Sequence, residues 1–134
     1  MLLDEGENKK KEEEVEMKMD AIDALTKFMN AWKDSDWSEM LKSTQKTWRS
    51  KENNDSELLK NWFYLKDLLT FKILKINQIS SSCIDVILGI GYIFGDSKIK
   101  ETKIRARVIC ETEPYKPSPT GEWGVNPIGI LREF

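Results

Sequence analysis

The spacing of apolar residues divides the chain into a helical first half and a second half made of strands. From about residue 15 the apolar positions recur with the helical period of about 3.6 residues, and Leu25 and Trp32 lie on one stripe. Polar residues interrupt this pattern twice, and each interruption ends in a residue that can cap a new helix. The capping residue is Asp36 at the first interruption, and Asp55 or Ser56 at the second. The pattern predicts three helices, near residues 15–33, 36–48 and 56–64.

After residue 69 the apolar period becomes two, which is typical of a strand with one buried face. The predicted strands cover residues 70–79, 83–94, 98–112 and 122–125, and residues 128–134 close the chain. The alternation slips near Ile73 and Leu74, which predicts a bulge in the first strand. Gly95 begins the turn of a hairpin, and Asn126-Pro127 bends the chain after the last strand.

The hairpin has one apolar and one mixed face, because even positions of both strands are apolar and odd positions of the second are largely charged. If Phe94 lies opposite Lys98, the register places Cys83 opposite Ile109 and not opposite Cys110. The two cysteines then point to different faces of the sheet, and disulfide geometry does not tolerate this. We therefore expect two unbridged thiols.

The chain of 134 residues, with 40% hydrophobic and 33% charged residues, fits one globular domain. Helices followed by a meander of strands predict an α+β fold, in which three N-terminal helices pack on one face of a strongly curved antiparallel sheet. Residues 1–14 are predicted to be a charged, flexible lead-in, and residues 15–134 a single domain. No apolar stretch approaches the length of a membrane-spanning helix, so no membrane insertion is expected.

Charge and composition remove several classes of function. The net charge of −2 gives no electrostatic reason to expect nucleic acid, and the absence of histidine removes histidine-dependent catalysis and most zinc sites. No glycine-rich phosphate loop and no metal-ligand spacing are present, so we expect neither a metal nor a cofactor. No signal peptide is visible at the start, which predicts a cytoplasmic protein or a piece of a longer chain whose targeting segment is missing.

A carboxylate in an apolar pocket is a usual catalytic acid or base, because burial moves its pKa towards neutral. The inward positions of the two clearest strands contain no Asp or Glu, and the parity of Asp85 places it on the other face. Asp67, Tyr64 and Tyr92 are the remaining candidates for acid–base chemistry. The sequence therefore predicts no catalytic residue, and a small-molecule isomerase or cyclase using these three stays open as an alternative.

The order of elements resembles the nuclear transport factor two-like superfamily, which has a cystatin-like α+β cone. The resemblance rests on residues 31–37 (AWKDSDW), on 59–64 (LKNWFY) running into 71–76 (FKILKI), on the long hairpin and on the Gly121-Glu122-Trp123 strand. It covers residues 15–134 and implies a curved sheet wrapped over helices. The superfamily includes enzymes, transport adaptors and secretion-system subunits, so this fold implies no single function.

Two surfaces are predicted to bind partners. The interior of the cone would accept an apolar small molecule, with four pocket candidates: Tyr64, Tyr92, Thr102 and Trp123. The outer sheet face would form a homodimer, since members of the superfamily commonly pair through their sheets, with five interface candidates: Ile87, Ile93, Arg105, Arg107 and Ile109. The favoured hypothesis is a non-catalytic binding or assembly module, and a third alternative is a soluble domain of a membrane-tethered secretion or conjugation complex.

Overall fold

The computed structural model describes residues 5–95 and 98–133, and it has the predicted α+β architecture. Five helices are α1 (Glu5–Lys33), α2 (Trp37–Lys42), α3 (Lys46–Arg49), α4 (Ser56–Phe63) and α5 (Pro127–Leu131). Five strands are β1 (Lys66–Ser80), β2 (Cys83–Phe94), β3 (Ile99–Glu113), β4 (Lys116–Pro117) and β5 (Glu122–Val125). The strands form one antiparallel, curved and unclosed sheet in the order β1-β2-β3-β4, with β5 also paired to β3.

Helix α1 carries the predicted apolar stripe into the core. Leu25 and Trp32 are almost completely buried, and the Trp32 ring contacts that of Phe63 edge-on at 5.0 Å between centroids. The Trp32 indole nitrogen donates to the carbonyl of Lys66 at 2.8 Å, which fixes the end of α1 against the start of β1. The helix begins at Glu5, ten residues before the start that the apolar period indicates. Residues 1–4 lie outside the described residues, and the flexibility of the lead-in stays a prediction.

The predicted second helix is divided into α2 and α3. Asp36 caps α2 as expected, since its carboxylate accepts from the amide of Glu39. The helix then ends because the backbone of residues 43–45 pairs with β5: the Val125 amide donates to the Ser43 carbonyl at 2.8 Å, and the Gln45 amide donates to the Val125 carbonyl at 2.9 Å. The backbones of residues 43–45 and β5 lie so close together that a β-carbon on Gly124 would be 2.5 Å from the carbonyl oxygen of Thr44.

The strand register confirms the sequence prediction for the hairpin. Cys83 lies opposite Ile109, and both cysteines are free. The predicted bulge in β1 is present between Ile73 and Lys75, and the strand has two further register shifts. Even positions of β2 and β3 face the helices, where Ile84, Val86, Leu88, Ile104, Ala106 and Val108 are at most 1% exposed.

After the bend at Asn126 the described residues form a short helix, and up to residue 133 no strand follows. Asn126 accepts from the amide of Ile128, and Pro127 occupies the first turn, where a missing amide proton has no cost. Ile130 is fully buried, and α5 packs against β3. The helix therefore adds to the cover of the inner sheet face beside β3.

Candidate functional site: the outer face of the sheet

The outer face of the sheet is made of rows of residues that lie side by side on β1, β2 and β3. Lys75, Ile87 and Arg105 form one row, and Lys72, Gly89 and Lys103 form the next. In both rows a cation flanks the central strand on each side. Among the residues that the structure describes, none of these four cations is ion-paired with a carboxylate.

A depression of about 760 Å³ lies over the two glycines of β2. Its floor is Gly89 and Gly91, and Leu74 forms a wall, since its Cδ1 lies 3.4 Å from where a β-carbon on Gly89 would be. A β-carbon on Gly91 would approach the Thr70 hydroxyl to 2.7 Å. The side chains of Thr70, Lys72, Glu101 and Lys103 belong to the rows that surround this floor. Because Gly89 and Gly91 have no side chains, the depression is open, and the cations Lys72 and Lys103 lie at its rim.

Beyond Ile87 the outer face is occupied by the protein's own side chains. Arg107 donates through two nitrogens to the carboxylate of Asp85, at 2.8 Å and 3.0 Å, and this hydrogen bonding raises the pKa of the guanidinium. Asp85 is only 6% exposed although it points away from the helices. Both arginines are exposed, but Arg107 is ion-paired with Asp85, whereas Arg105 has no such partner within the described part of the chain.

The far end of the outer face is covered by α3. Glu111, which parity places among the outward charged positions, is 2% exposed. Its carboxylate accepts from the Thr47 amide at 3.0 Å and from the Thr47 hydroxyl. Ile109 is half-buried here, between Cys83 on one side and Gly124 on the other. This end therefore offers little surface to a partner.

The five interface candidates lie on two different parts of the outer face. Ile87, Ile93 and Arg105 lie on the open part, where Ile93 is paired with Asp67 on β1 and with Ile99 on β3. Arg107 and Ile109 lie on the occupied part, for the reasons given above. Ile99, at 66% exposed, extends the apolar surface beside Ile93 and was not among the sequence candidates.

The four pocket candidates do not form one cluster: one residue pair separates Tyr92 from Thr102 in the register of β2 and β3, whereas Trp123 lies opposite Cys110 and Tyr64 precedes β1. Tyr64 follows α4 and is 54% exposed, whereas Tyr92 and Trp123 are half-buried and pack against the core. Thr102 is half-buried and contributes to the lining of the outer depression. The inner face is instead filled by large, fully buried side chains, including Trp32, Phe28 and Phe63.

The three groups proposed for the enzyme alternative are also separated. Asp67 lies opposite Ile93 on the outer face, whereas Tyr92 lies opposite Leu68, a core residue. Tyr64 is exposed at the start of β1. A joint acid–base site would require these groups on the same side of the sheet.

Two further observations concern metals and membranes. Within residues 5–95 and 98–133, no group of three or more His, Cys, Asp or Glu side chains is arranged to hold a metal ion. In the same part of the chain, no helix combines the length and apolar character needed to cross a membrane.

The lysines of β1 are the site residues that sequence reasoning missed. Lys72 and Lys75 have opposite parity, so simple alternation places them on different faces. The bulge between Ile73 and Lys75 inserts one residue, and both lysines consequently point outward. The slip in alternation near Ile73 and Leu74 was visible in the sequence. The face on which the two lysines lie, however, can be assigned only from the pairing of β1 with β2.

Comparison with known proteins identifies the fold. No protein-family profile matches the chain, and no curated protein matches it. An NTF-2-like protein of unknown function from Shewanella oneidensis MR-1 is 14% identical, with a TM-score of 0.50 over 81% of this chain and 93% of that one. The chain therefore has the nuclear transport factor two-like cone fold, as its sequence resemblance implied.

Two solved structures of SEC-C-motif-containing proteins are also similar. The one from Rhodopseudomonas palustris is 16% identical, with a TM-score of 0.54 over 72% of this chain and 67% of that one. The one from Psychrobacter arcticus is 11% identical, with a TM-score of 0.55 over 74% of this chain. The match covers 54% of the Psychrobacter protein, or about half its length. At these identities the likeness concerns the fold alone.

Proposed function

We propose that the chain is a non-catalytic binding and assembly module that contacts its partner through the open part of the outer sheet face. The observation that carries this proposal is the pair of rows in which cations flank Ile87 and Gly89. Half-buried isoleucines with polar and charged side chains around them match the apolar centre and polar rim of a protein interface. Arginine and lysine at the rim would pair with acidic groups of the partner.

The apolar surface supports the same conclusion. Ile87 and Ile93 stand on either side of the depression along β2, and the exposed Ile99 lies next to Ile93. Fully burying one such side chain contributes roughly 1.5 to 3 kcal/mol. A partner with a matching ridge would fill the hollow between the two isoleucines. The binding of an apolar small molecule inside the cone stays a prediction.

The test is whether the protein self-associates and whether the outer face is responsible. We expect analytical ultracentrifugation to show a concentration-dependent increase in mass for the wild type. Ile87→Glu or Ile93→Glu should return the protein to a monomer with an unchanged circular dichroism spectrum, because these side chains lie outside the core. A wild type that remains monomeric at high micromolar concentration would contradict assembly through this face.

Ile128→Glu is the matched control. Ile128 is an exposed isoleucine, at 38%, but it lies on α5 and outside the sheet. The same substitution there should leave the mass distribution unchanged. If Ile128→Glu dissociated the protein as well, the effect would reflect added charge rather than loss of a specific contact.

A further inference from the structure

We propose that the outer face of one copy binds the acidic segment at residues 12–20 of helix α1 from a second copy, in a head-to-tail arrangement. This inference rests on the proposed function and specifies its partner. It follows from a match in charge, apolar surface and spacing between two regions of the same chain.

Residues 12–20 of α1, which follow the three lysines at positions 9–11, are acidic and apolar in sequence. Glu12, Val15, Glu16 and Met19 are all exposed, and they are neighbours on the helix because their spacings are three or four residues. Val15 is 57% and Met19 62% exposed, which is unusual for apolar side chains in the middle of a long helix. Between Glu12 and Asp23, six residues are acidic and only Lys18 is basic.

The dimensions of the two surfaces agree. Val15 and Met19 are separated by about 6 Å along the helix axis, and Gly89 and Gly91 by about 6.6 Å along β2. The flanking cations of the Gly89 row stand on strands roughly 10 Å apart, which is close to the diameter of a helix with its side chains. A helix lying along β2 would thus place its apolar pair over the glycine floor and its glutamates beside the cations.

Charge favours this partner over a second sheet. Two outer faces placed against each other would bring Lys72, Lys75, Lys103 and Arg105 of one copy towards the same cations of the other. Such juxtaposition of like charges is unfavourable at a desolvated contact. The acidic helix instead supplies the carboxylates that these four cations lack within the described chain.

The helix must come from another copy. Helix α1 is continuous from Glu5 to Lys33, and from Ala21 onwards it is buried against the inner face of its own sheet. Its N-terminal half cannot reach the outer face of that sheet without breaking the helix. The resulting contact joins different surfaces of the two copies, so it produces an open chain, or a closed ring whose smallest form is a pair of copies that exchange helices.

The experiment uses charge reversal on each surface separately. In the full-length protein, Lys103→Glu with Arg105→Glu reverses the face, and Glu12→Lys with Glu16→Lys reverses the helix. We expect each pair to weaken self-association by at least about tenfold, measured by sedimentation equilibrium. Combining all four changes in one chain restores opposite charges across the contact, and we expect it to restore association.

The control reverses two charges outside both surfaces. Lys51→Glu with Glu52→Lys changes exposed residues between α3 and α4, and should leave the association constant within twofold of the wild type. Circular dichroism of every variant checks that the fold is retained. All reversed residues are solvent-exposed, so their replacement does not disturb the core.

The outcomes separate this inference from the proposed function. If reversal of the face weakens association and reversal of the helix does not, the helix is not the partner, and a sheet-to-sheet homodimer through the same face is supported. If the four-fold variant fails to recover association, the charge match is wrong. If neither reversal has an effect on an associating wild type, both proposals fail.

Discussion

The two faces of the β2–β3 hairpin are formed by alternating residues of the same strands, yet they differ in almost every physical respect. On the inner face Leu88 is completely buried between Ile73 and Ile104. One residue earlier, Ile87 lies half-buried between Lys75 and Arg105. Because the period of a strand is two, each face can meet a different requirement without altering the other. The inner face holds the fold together, and the outer face retains groups suited to a contact.

The largest expected difference between the faces is in stability. Leu88→Ala should lower the free energy of unfolding by about 2 to 5 kcal/mol, because it opens a cavity in a packed core. Ile87→Ala should cost about 1 kcal/mol, since this side chain is only half-buried. Urea unfolding of both variants measures the contrast. Equal losses would mean that Ile87 contributes to the core of the monomer.

A second contrast lies within the outer face, between its two arginines. Arg107→Ala should lower the free energy of unfolding by about 1 to 3 kcal/mol, because it leaves the buried carboxylate of Asp85 without its partner. Arg105→Ala should change it by less than about 0.5 kcal/mol. Thermal and urea unfolding of both variants measure this difference in the free energy of unfolding.

A double-mutant cycle with Asp85→Ala tests the cause of that contrast. The cost of Arg107→Ala should fall when Asp85 is already absent, because no buried charge is then left unpaired. An unchanged cost would show that packing of the Arg107 side chain, and not its ion pair, is responsible.

The smallest expected effect concerns the thiols, one on each face. Burial raises the pKa of both Cys83 and Cys110 above the ordinary value of 9.0. The fold therefore favours the neutral thiols, and this contribution is complete below pH 9 and is lost as the pH rises through the raised values. The free energy of unfolding should fall more steeply above pH 9 in the wild type than in a Cys83→Ala, Cys110→Ala variant. Parallel pH profiles would contradict this account.

Local patterns were sufficient to predict the hairpin and most of the helices. Alternation placed Cys83 opposite Ile109, and it located the bulge at Ile73, because both depend on neighbours along or directly across a strand. The N-terminal extent of α1 was missed, since residues before Val15 have no apolar period to reveal a helix. The α5 helix was missed because Asn126 and Pro127 fit a bend as well as a capped first turn.

The occupied end of the outer face could not be predicted, because it depends on contacts between distant segments. Glu111 looks solvent-exposed by parity, and only the position of Thr47, 64 residues earlier, explains its burial. The break after α2 has the same origin, since it requires Val125 to pair with residues 43–45. The outward position of Ile87, Ile93 and Arg105 followed from the alternation of one hairpin, whereas the outward position of the lysines of β1 requires the pairing with β2.

The three register shifts in β1 have a consequence for unwanted aggregation. Within the described residues β1 pairs only with β2, so its other side is an edge that carries the exposed Ile73, Leu74 and Ile76. A straight, apolar edge of this length would be a template on which strands of other copies could add. The bulges interrupt its hydrogen-bonding groups, and Lys72 and Lys75 add charge beside them. Bulges and charged side chains are the features by which natural proteins keep an edge strand from pairing with other copies, and β1 carries both.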